Sequence, residues 1–385
     1  MKAVVTGMIA SYPVGGVLWD YGQYALGLER LGFEVFYLED TGWQTYDPRQ
    51  GEYGGDCSYA VEFLRASLTA LSPTLGQRWR FRNMDGRAFG LAEDDFADVL
   101  RGADLFLNVS GGTLLRDAYL PCRRKVLIDS DPGWNHFRNY PRWDANPNWQ
   151  GSHGYRAHDF FFTYAERMGR PGCRLPNLGL AWQPTRPPVV MDCWRAEPPN
   201  ETWTTVMTWK NFQETITHDG VVYGTKEMEF DRIQALPGRV KARLEVATGG
   251  AQAPRAEWEA LGWSVTNAAG VSATAEDYRR YIQRSRGEFS VAKNVYVATG
   301  SGWFSCRSVC YLAAGLPVVV QDTGFAGHIP TGEGLFAFST LEEAARGIEA
   351  AEGDYTRHQR AARELARTHF DSRVVLGDLL KRIGL

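Results

Sequence analysis

A glycine-rich turn and the residues after it have the types and spacing needed to hold a phosphate group. Gly300-Ser301-Gly302 precedes a short predicted helix that starts with Arg307 and Ser308, and a buried strand then ends at Asp322 and Thr323. Glycines permit close backbone approach, and the first N–H groups of a helix can bind an anion. An arginine and a hydroxyl at that helix end would complete a diphosphate cradle. These seven residues are the predicted phosphate-binding site.

A second group of candidates follows a predicted strand over residues 125–128. Asp129 and Asp131 come directly after this strand, and His136 lies on the same loop. Carboxylates at the C-terminal end of a parallel strand, or a histidine beside them, suit a general base or an acceptor site. Either aspartate could instead cap a turn. We therefore predict Asp129, Asp131 and His136 as the catalytic candidates, with a structural role as the alternative.

The glycine-rich stretch resembles the donor half of GT-B glycosyltransferases. Residues 313–318 (AAGLPV) match the pattern A-x-G-x-P-V that surrounds a nucleotide sugar in those enzymes, and residues 303–313 resemble a bacterial group with the run W-F-S-x-R-S-x-C-Y-L-A. The resemblance implies an α/β protein with two Rossmann-like domains facing each other across a cleft. It also implies a nucleotide-sugar donor as substrate, no cofactor, and a basic residue after the first strand of the second domain, which here is Lys210.

Two positions depart from the GT-B pattern. Gly302 and Cys310 stand where many retaining enzymes of this fold carry a pair of glutamates, so the sugar and ribose contacts of those glutamates are not expected here. An inverting route would need a base such as Asp129, Asp131 or His136. In the GT-A class an Asp-x-Asp holds a divalent metal, but GT-B enzymes generally need none. The resemblance therefore predicts no metal site.

The chain opens with a Rossmann-like unit. A predicted strand over residues 2–10 leads to Gly15-Gly16, then to a helix through Leu31 and a second strand over residues 33–38. The glycine pair is not the G-x-G-x-x-G of dinucleotide sites, which disfavours NAD. The resemblance places Gly15 and Gly16 in the cleft between the domains. A tight turn without a ligand is the alternative.

A proline-rich segment over residues 177–188 predicts a linker. We therefore expect an acceptor-side domain over residues 1–185, a donor domain over residues 186–360, and a C-terminal helix over residues 361–385 that packs back on the first domain. The loop over residues 132–152 is rich in tryptophan, asparagine and proline. Its aromatic side chains could stack on a sugar ring or pack as structure.

Composition narrows the class of protein. The 385 residues carry 42 basic and 45 acidic side chains, a net charge of −3, so nothing in the overall charge attracts nucleic acid or an anionic membrane. The six cysteines include no C-x-x-C pair, and Cys306 with Cys310 has no second ligand pair nearby, which disfavours zinc. The first apolar run is too short for a signal peptide, and no run of about 20 apolar residues occurs. The expectation is a cytoplasmic protein.

Together these patterns predict a metal-independent glycosyltransferase of the hexosyltransferase type. It would move a sugar from a nucleotide-diphosphate sugar to a hydroxyl of a small molecule or glycan. The alternatives are a nucleotide-sugar epimerase or hydrolase, or a binding protein of the same fold without catalysis. A transferase acting on DNA or RNA has no support from the charge balance. The sugar, the base, the acceptor and the oligomeric state are not specified by these patterns.

Overall fold

Two α/β domains follow one another along the chain. The computed structural model describes residues 1–195, 197–210, 215–250 and 252–385. The first domain contains β1 (Lys2–Thr6), α1 (Gly15–Arg30), β2 (Glu34–Glu39), β3 (Thr45–Asp47), β4 (Glu52–Gly54), α2 (Ser58–Leu71), β5 (Trp79–Arg82), β6 (Ala88–Gly90), α3 (Glu93–Arg101), β7 (Leu105–Val109), β8 (Lys125–Asp129), α4 (Tyr140–Ala145), β9 (Phe160–Thr163) and β10 (Gln183–Pro184).

The remaining elements begin after the connecting segment. They are β11 (Thr202–Thr208), β12 (Ile216–His218), β13 (Val221–Tyr223), α5 (Glu227–Phe230), β14 (Arg243–Gly249), α6 (Arg255–Ala260), β15 (Ser264–Asn267), α7 (Ala268–Val271), α8 (Ala275–Arg284), β16 (Gly287–Ser290), α9 (Asn294–Ala298), α10 (Cys306–Ala313), β17 (Val318–Gln321), β18 (Leu335–Phe338), α11 (Leu341–Gly353), α12 (Tyr355–His369) and α13 (Ser372–Arg382).

Each domain is built on one large parallel sheet. The order in the first sheet is β10-β9-β8-β7-β1-β2-β5-β6, with only β6 antiparallel, and the order in the second is β15-β14-β11-β16-β17-β18. In both sheets the chain moves outward on one side, returns to the centre and continues on the other side. This is the Rossmann order, and its switch points lie between β1 and β7 and between β11 and β16. The predicted fold class of two Rossmann-like domains is confirmed.

The central strands are apolar on both faces because helices cover both. In β17, Val318 packs with Leu312 of α10 in one cluster, while Val319 packs with Ile348 of α11 in another. Successive strand residues point to opposite faces, so two apolar layers require an uninterrupted apolar run. The run V-V-V in the sequence is therefore a direct consequence of the sandwiching helices.

The last helix returns to the first domain. Leu376 and Leu379 of α13 belong to the same apolar cluster as Leu28 of α1, and Arg124 Nε donates to the carbonyl oxygen of Ile383 at 2.8 Å. The preceding helix, α12, runs from Tyr355 to His369, so the boundary predicted at residue 360 falls inside a helix. Among the described residues, no helix is long and apolar enough to cross a membrane.

Candidate active site

Arg307 occupies the centre of the second domain's switch point. It is the second residue of α10, and its Nε donates to Glu288 Oε1 at 2.6 Å and its Nη1 to the carbonyl oxygen of Val206 at 2.6 Å. Nη2 donates to Ser290 Oγ. Burial alone lowers the pKa of Arg307, but the wholly buried Glu288 carboxylate, together with Tyr278 and Tyr311, outweighs this and holds the pKa above its ordinary range. Arg307 is thus engaged by its own domain.

Two lysines bring further positive charge to Arg307. Lys226 directly precedes α5 and Lys293 directly precedes α9. Burial lowers the pKa of Lys226 well below its usual range, and the charges of Arg307 and Lys293 lower it further, against the opposing effect of Glu288. Lys226 is therefore close enough to Arg307 and Lys293 for their charges to act on it, at the C-terminal edge of the second sheet, where open α/β sheets bind their ligands. The sequence analysis did not single out either lysine.

A buried polar network holds the two lysines in place. Glu229 is 1% exposed, and its two carboxylate oxygens accept hydrogen bonds from Asn294 Nδ2 at 2.7 Å and from Gln321 Nε2 at 2.6 Å. These contacts tie α5 to the start of α9 and to the end of β17. Lys226 directly precedes α5 and Lys293 directly precedes α9, so the network fixes the spacing between the two lysines.

A narrow cavity of about 20 Å³ lies beside the first turn of α10. Ser308 lines it and is 1% exposed, and its Oγ has no hydrogen-bond partner among the described residues. A buried hydroxyl without a partner costs about 1–3 kcal/mol, so it marks a position for a water or a ligand oxygen. The volume suits one water. The other polar residues on its wall are Ser290, Ser305, Arg307, Gln321 and Thr323.

Asp131 links the first domain to the cation cluster. Lys293 Nζ donates to Asp131 Oδ2 at 2.7 Å, and the Tyr296 hydroxyl donates to the other carboxylate oxygen. Next to it, Trp303 Nε1 donates to the carbonyl oxygen of Ser130 at 3.0 Å. The loop after β8 is therefore bound to the second domain, and Asp131 faces the cations.

Asp129 and His136 are paired away from the cluster. Both side chains are completely buried. His136 Nε2 lies 2.9 Å from Asp129 Oδ2, and Nδ1 lies 2.8 Å from the carbonyl oxygen of Pro176. Asp129 also accepts hydrogen bonds from Asn135 at 2.6 Å and Thr163 at 2.9 Å. Both ring nitrogens thus lie within hydrogen-bond distance of an oxygen, and the pair fastens the loop that follows β8.

A second carboxyl group of the first domain lies close enough to Arg307 for its charge to act on it. Burial raises the pKa of Asp20, on α1, to about 6, while the Cys306 thiol and Arg307 favour its charged form. Burial likewise raises the pKa of Cys306 well above its usual range, and the charge of Asp20 adds to this. Asp20 had not been predicted, because nothing in the sequence distinguishes it from a solvated helix residue.

The glycine-rich turn contacts the first domain. Gly300 and Gly302 have positive φ angles of 57° and 79°, and a Cβ at Gly302 would lie 2.9 Å from Cγ of Arg167. Arg167 N–H donates to the carbonyl oxygen of Ser301 at 3.1 Å. Ser301 is completely buried, and its hydroxyl donates to the carbonyl oxygen of Tyr296 at 3.1 Å. The close backbone approach predicted for a ligand is made here by the segment after β9.

Three other residues were predicted to bind the nucleotide-sugar donor, and each of them has its own contacts in the structure. Asp322 Oδ1 accepts the N–H of Gly324 at 2.8 Å, and Thr323 Oγ1 donates to the carbonyl oxygen of Trp303 at 2.6 Å. Both side chains shape the turn after β17. Lys210 is exposed two residues beyond β11, and its charge acts on Asp231. The lysine that reaches Arg307 is Lys226.

Gly15 and Gly16 lie where the two domains touch. The N–H of Gly15 donates to the carbonyl oxygen of Ser272 at 2.7 Å, and the N–H of Gly16 donates to Ser272 Oγ at 3.0 Å. A Cβ at Gly15 would lie 2.1 Å from the carbonyl oxygen of Thr274. The first turn of α1 is therefore capped by the second domain.

Replacing Gly15 with alanine is expected to force this contact apart. The added Cβ meets backbone, which cannot rotate away, so we expect a loss of about 1–3 kcal/mol in the free energy of unfolding, measured with urea. Gly16→Ala is the matched control, because its Cβ would lie 3.2 Å from a ring carbon of Tyr278 and alanine also favours the helix. Equal stability of the two variants would contradict the contact.

Two aromatic rings of the loop over residues 132–152 are packed into the protein. Trp134 and Tyr140 are each 1% exposed, and Tyr140 stacks on Tyr155 at 4.2 Å. These rings therefore pack as part of the structure, which was the alternative to stacking on a sugar ring. Within the described ranges, no group of three or more His, Cys, Asp or Glu side chains is arranged to hold a metal ion.

Comparison with solved structures identifies the fold. The chain is similar over its whole length to an alpha-glucosyltransferase in complex with UDP (TM-score 0.57, 12% identity, 100% of both chains covered). It is also similar to HepE from Anabaena in complex with UDP-glucose (TM-score 0.56, 11% identity, 100% of this chain and 99% of that chain). A third match is AviGT4, a glycosyltransferase involved in avilamycin A biosynthesis (TM-score 0.51, 14% identity, 99% and 96% covered).

The class defined by these likenesses is the GT-B fold. This chain has that fold, with two parallel-sheet domains and the candidate site at their contact. No protein-family model matches the sequence, and no curated protein matches it either. The resemblance noted from the sequence is confirmed at the level of the fold.

Proposed function

We propose that this protein transfers a sugar from a nucleotide-diphosphate sugar to an acceptor hydroxyl. The observation that carries the proposal is the convergence of Lys226, Lys293 and Arg307 at the switch point of the second sheet, facing carboxylates of the first domain. Fixed cations placed where a leaving diphosphate gains charge lower the barrier to transfer. The GT-B fold agrees with this chemistry.

Each positive group has a defined part in the proposed donor site. Lys226 and Lys293 bind the diphosphate, with the free N–H groups of the first turn of α10. Arg307 is held by Glu288 and positions that turn, while the Ser308 hydroxyl supplies a hydrogen bond to a donor oxygen. Because these groups do the work of a metal ion, transfer should continue in the presence of a chelator.

Asp131 is our candidate for the general base. Unlike Asp129 and His136, its side chain is 29% exposed and faces the second domain. A bound diphosphate would compete for Lys293 and leave the Asp131 carboxylate able to accept the proton of the acceptor hydroxyl. The Asp129–His136 pair would then act as a positioning element for the loop that carries Asp131.

Nucleotide binding tests the donor site directly. Calorimetry with UDP should be measured first, since two of the similar structures contain UDP or UDP-glucose, followed by GDP, ADP and TDP. We expect one of the four to bind. Lack of binding to all four would overturn the proposal.

Replacing Asp131 with asparagine should separate catalysis from binding. Loss of a general base lowers the rate about 10²–10⁴-fold, whereas UDP affinity should be kept because an asparagine removes negative charge beside the cations. Asp129→Asn is the control, since it breaks the buried pair with His136 and should lower the urea midpoint of unfolding. An Asp131→Asn protein with full transfer activity would remove this residue from the reaction.

Product analysis distinguishes the alternatives. A nucleotide-sugar epimerase or hydrolase would convert UDP-glucose without an acceptor, whereas a transferase needs one. A binding protein of this fold would bind nucleotide tightly but convert no nucleotide sugar. This alternative stays open because Gly302 and Cys310 stand where many retaining enzymes of this fold carry glutamates. The anomeric form of the product gives the retaining or inverting outcome.

A further inference from the structure

Three tyrosines form a small cluster of stacked and tilted rings on the first domain, called here the tyrosine platform. Tyr12 lies on the loop after β1, and Tyr46 and Tyr53 belong to the β3–β4 hairpin. The rings of Tyr12 and Tyr46 are stacked at 4.7 Å and 9°, and Tyr53 meets Tyr46 at 5.2 Å with a tilt of 54°. Tyr53 is 61% exposed. Tyr12 and Tyr46 are half-buried, so Tyr53 is the most exposed of the three rings.

Backbone hydrogen bonds fasten the tyrosine platform to the rest of the first domain. The N–H of Tyr46 donates to the carbonyl oxygen of Ser11 at 2.9 Å, which fastens the hairpin to the loop after β1. That loop is in turn fixed by the completely buried Glu39, which accepts the N–H of Ala10 at 2.8 Å. A surface that is already ordered loses little conformational entropy on binding.

The tyrosine platform carries no charge. Tyr46 pairs with Tyr53 across the hairpin, and the next pair, Asp47 with Glu52, points to the opposite face because side chains alternate along a strand. Asp47 is in addition paired with Arg49 at 2.6 Å. Burial, with smaller effects from the two neighbouring phenols, raises the pKa of Tyr12 to about 12, so this ring stays neutral near pH 7.

The chemistry of the surface matches a sugar ring. Aromatic faces stack on the apolar C–H face of a sugar, while phenol groups can bond its hydroxyls. The loop that carries Tyr12 ends at Gly15, where the domains touch. We propose that the tyrosine platform binds a neutral saccharide acceptor, an inference that rests on the proposed transferase function.

The test measures saccharide binding and UDP binding separately on the full-length chain. Calorimetry with maltotriose, cellotriose and chitotriose should show binding of at least one of these neutral trisaccharides. Tyr46→Ala and Tyr53→Ala should each weaken it about 10-fold through loss of a stacking face. Tyr59→Ala is the matched control, since that half-buried ring lies 4.3 Å below the Arg49 guanidinium and outside the tyrosine platform.

The outcomes separate this inference from the proposed function. The tyrosine platform is supported if saccharide affinity falls in Tyr46→Ala and Tyr53→Ala but not in Tyr59→Ala. UDP affinity should be unchanged in all three variants. The inference is overturned if no trisaccharide binds at millimolar concentration, or if Tyr46→Ala and Tyr53→Ala both bind the trisaccharides as the wild type does. It is also overturned if p-nitrophenol binds as tightly as the trisaccharides, because that result indicates an aromatic acceptor. Absence of UDP binding in the wild type counts against the transferase instead.

Discussion

Arg307→Ala is expected to destabilise the protein by about 3–5 kcal/mol, because it leaves the completely buried carboxylate of Glu288 without its partner. The carbonyl oxygen of Val206 and the hydroxyl of Ser290 lose their donors as well. Urea unfolding measures the change. The residue that the sequence marks as a phosphate ligand therefore has its largest expected effect on stability.

A double-variant cycle separates the ion pair from the rest of the site. Arg307→Met combined with Glu288→Gln removes both charges. The double variant should therefore lose much less free energy of unfolding than the two single variants lose in total. Arg367→Ala is the matched control, because its pair with Glu364 is exposed on α12 and should leave the urea midpoint unchanged. A stable Arg307→Ala protein that no longer binds nucleotide would instead assign Arg307 to direct donor contact.

Lys226→Met is expected to weaken UDP binding about 10- to 100-fold without destabilising the fold. Methionine keeps the length of the side chain and removes a charge that contributes about 1.5–3 kcal/mol to a hydrogen bond with phosphate. In the unliganded protein this charge is buried beside Arg307 and Lys293, which lowers the pKa of Lys226, so its removal relieves repulsion. Lys210→Met is the control, and equal losses of UDP affinity in the two variants would contradict the assignment.

The pH dependence of UDP binding follows from the same lysine. Only the protonated amine attracts the diphosphate, and the lowered pKa means that Lys226 loses its proton at a lower pH than an exposed lysine does. UDP affinity should therefore fall with rising pH, starting at a lower pH than the titration of an exposed lysine would give, and the fall should be much smaller in Lys226→Met. A profile that is identical in both proteins would show that another group controls binding.

Much of the fold could be predicted because its signals are local. A strand covered on both faces must be apolar throughout, as in residues 318–320, and the turns between strands and helices need glycine where φ is positive, as at Gly315 with a φ of 73°. The start of α10 was predicted to within one residue, because the predicted helix begins at Arg307 and the observed helix begins at Cys306. Such patterns depend on neighbours in sequence.

The partners of each candidate residue could not be predicted in this way. Lys210 was chosen because it follows a strand, but the lysine whose pKa responds to the charge of Arg307 is Lys226, which directly precedes α5 sixteen positions later. Its importance comes from burial among distant charges, which no local pattern records. In the same way Asp129 and Asp131 are two residues apart, and only one of them faces the cleft.

The sequence by itself determined two Rossmann-like domains and the region of the candidate site, because strand periodicity and glycine turns act over a few residues. Only the tertiary structure decided what the glycine-rich turn at residues 300–302 contacts. A positive φ shows that some backbone or ligand comes close, but which one does depends on how the two domains meet. Here it is Arg167 of the first domain, and the cations of the neighbouring switch point are left to carry the proposed donor site.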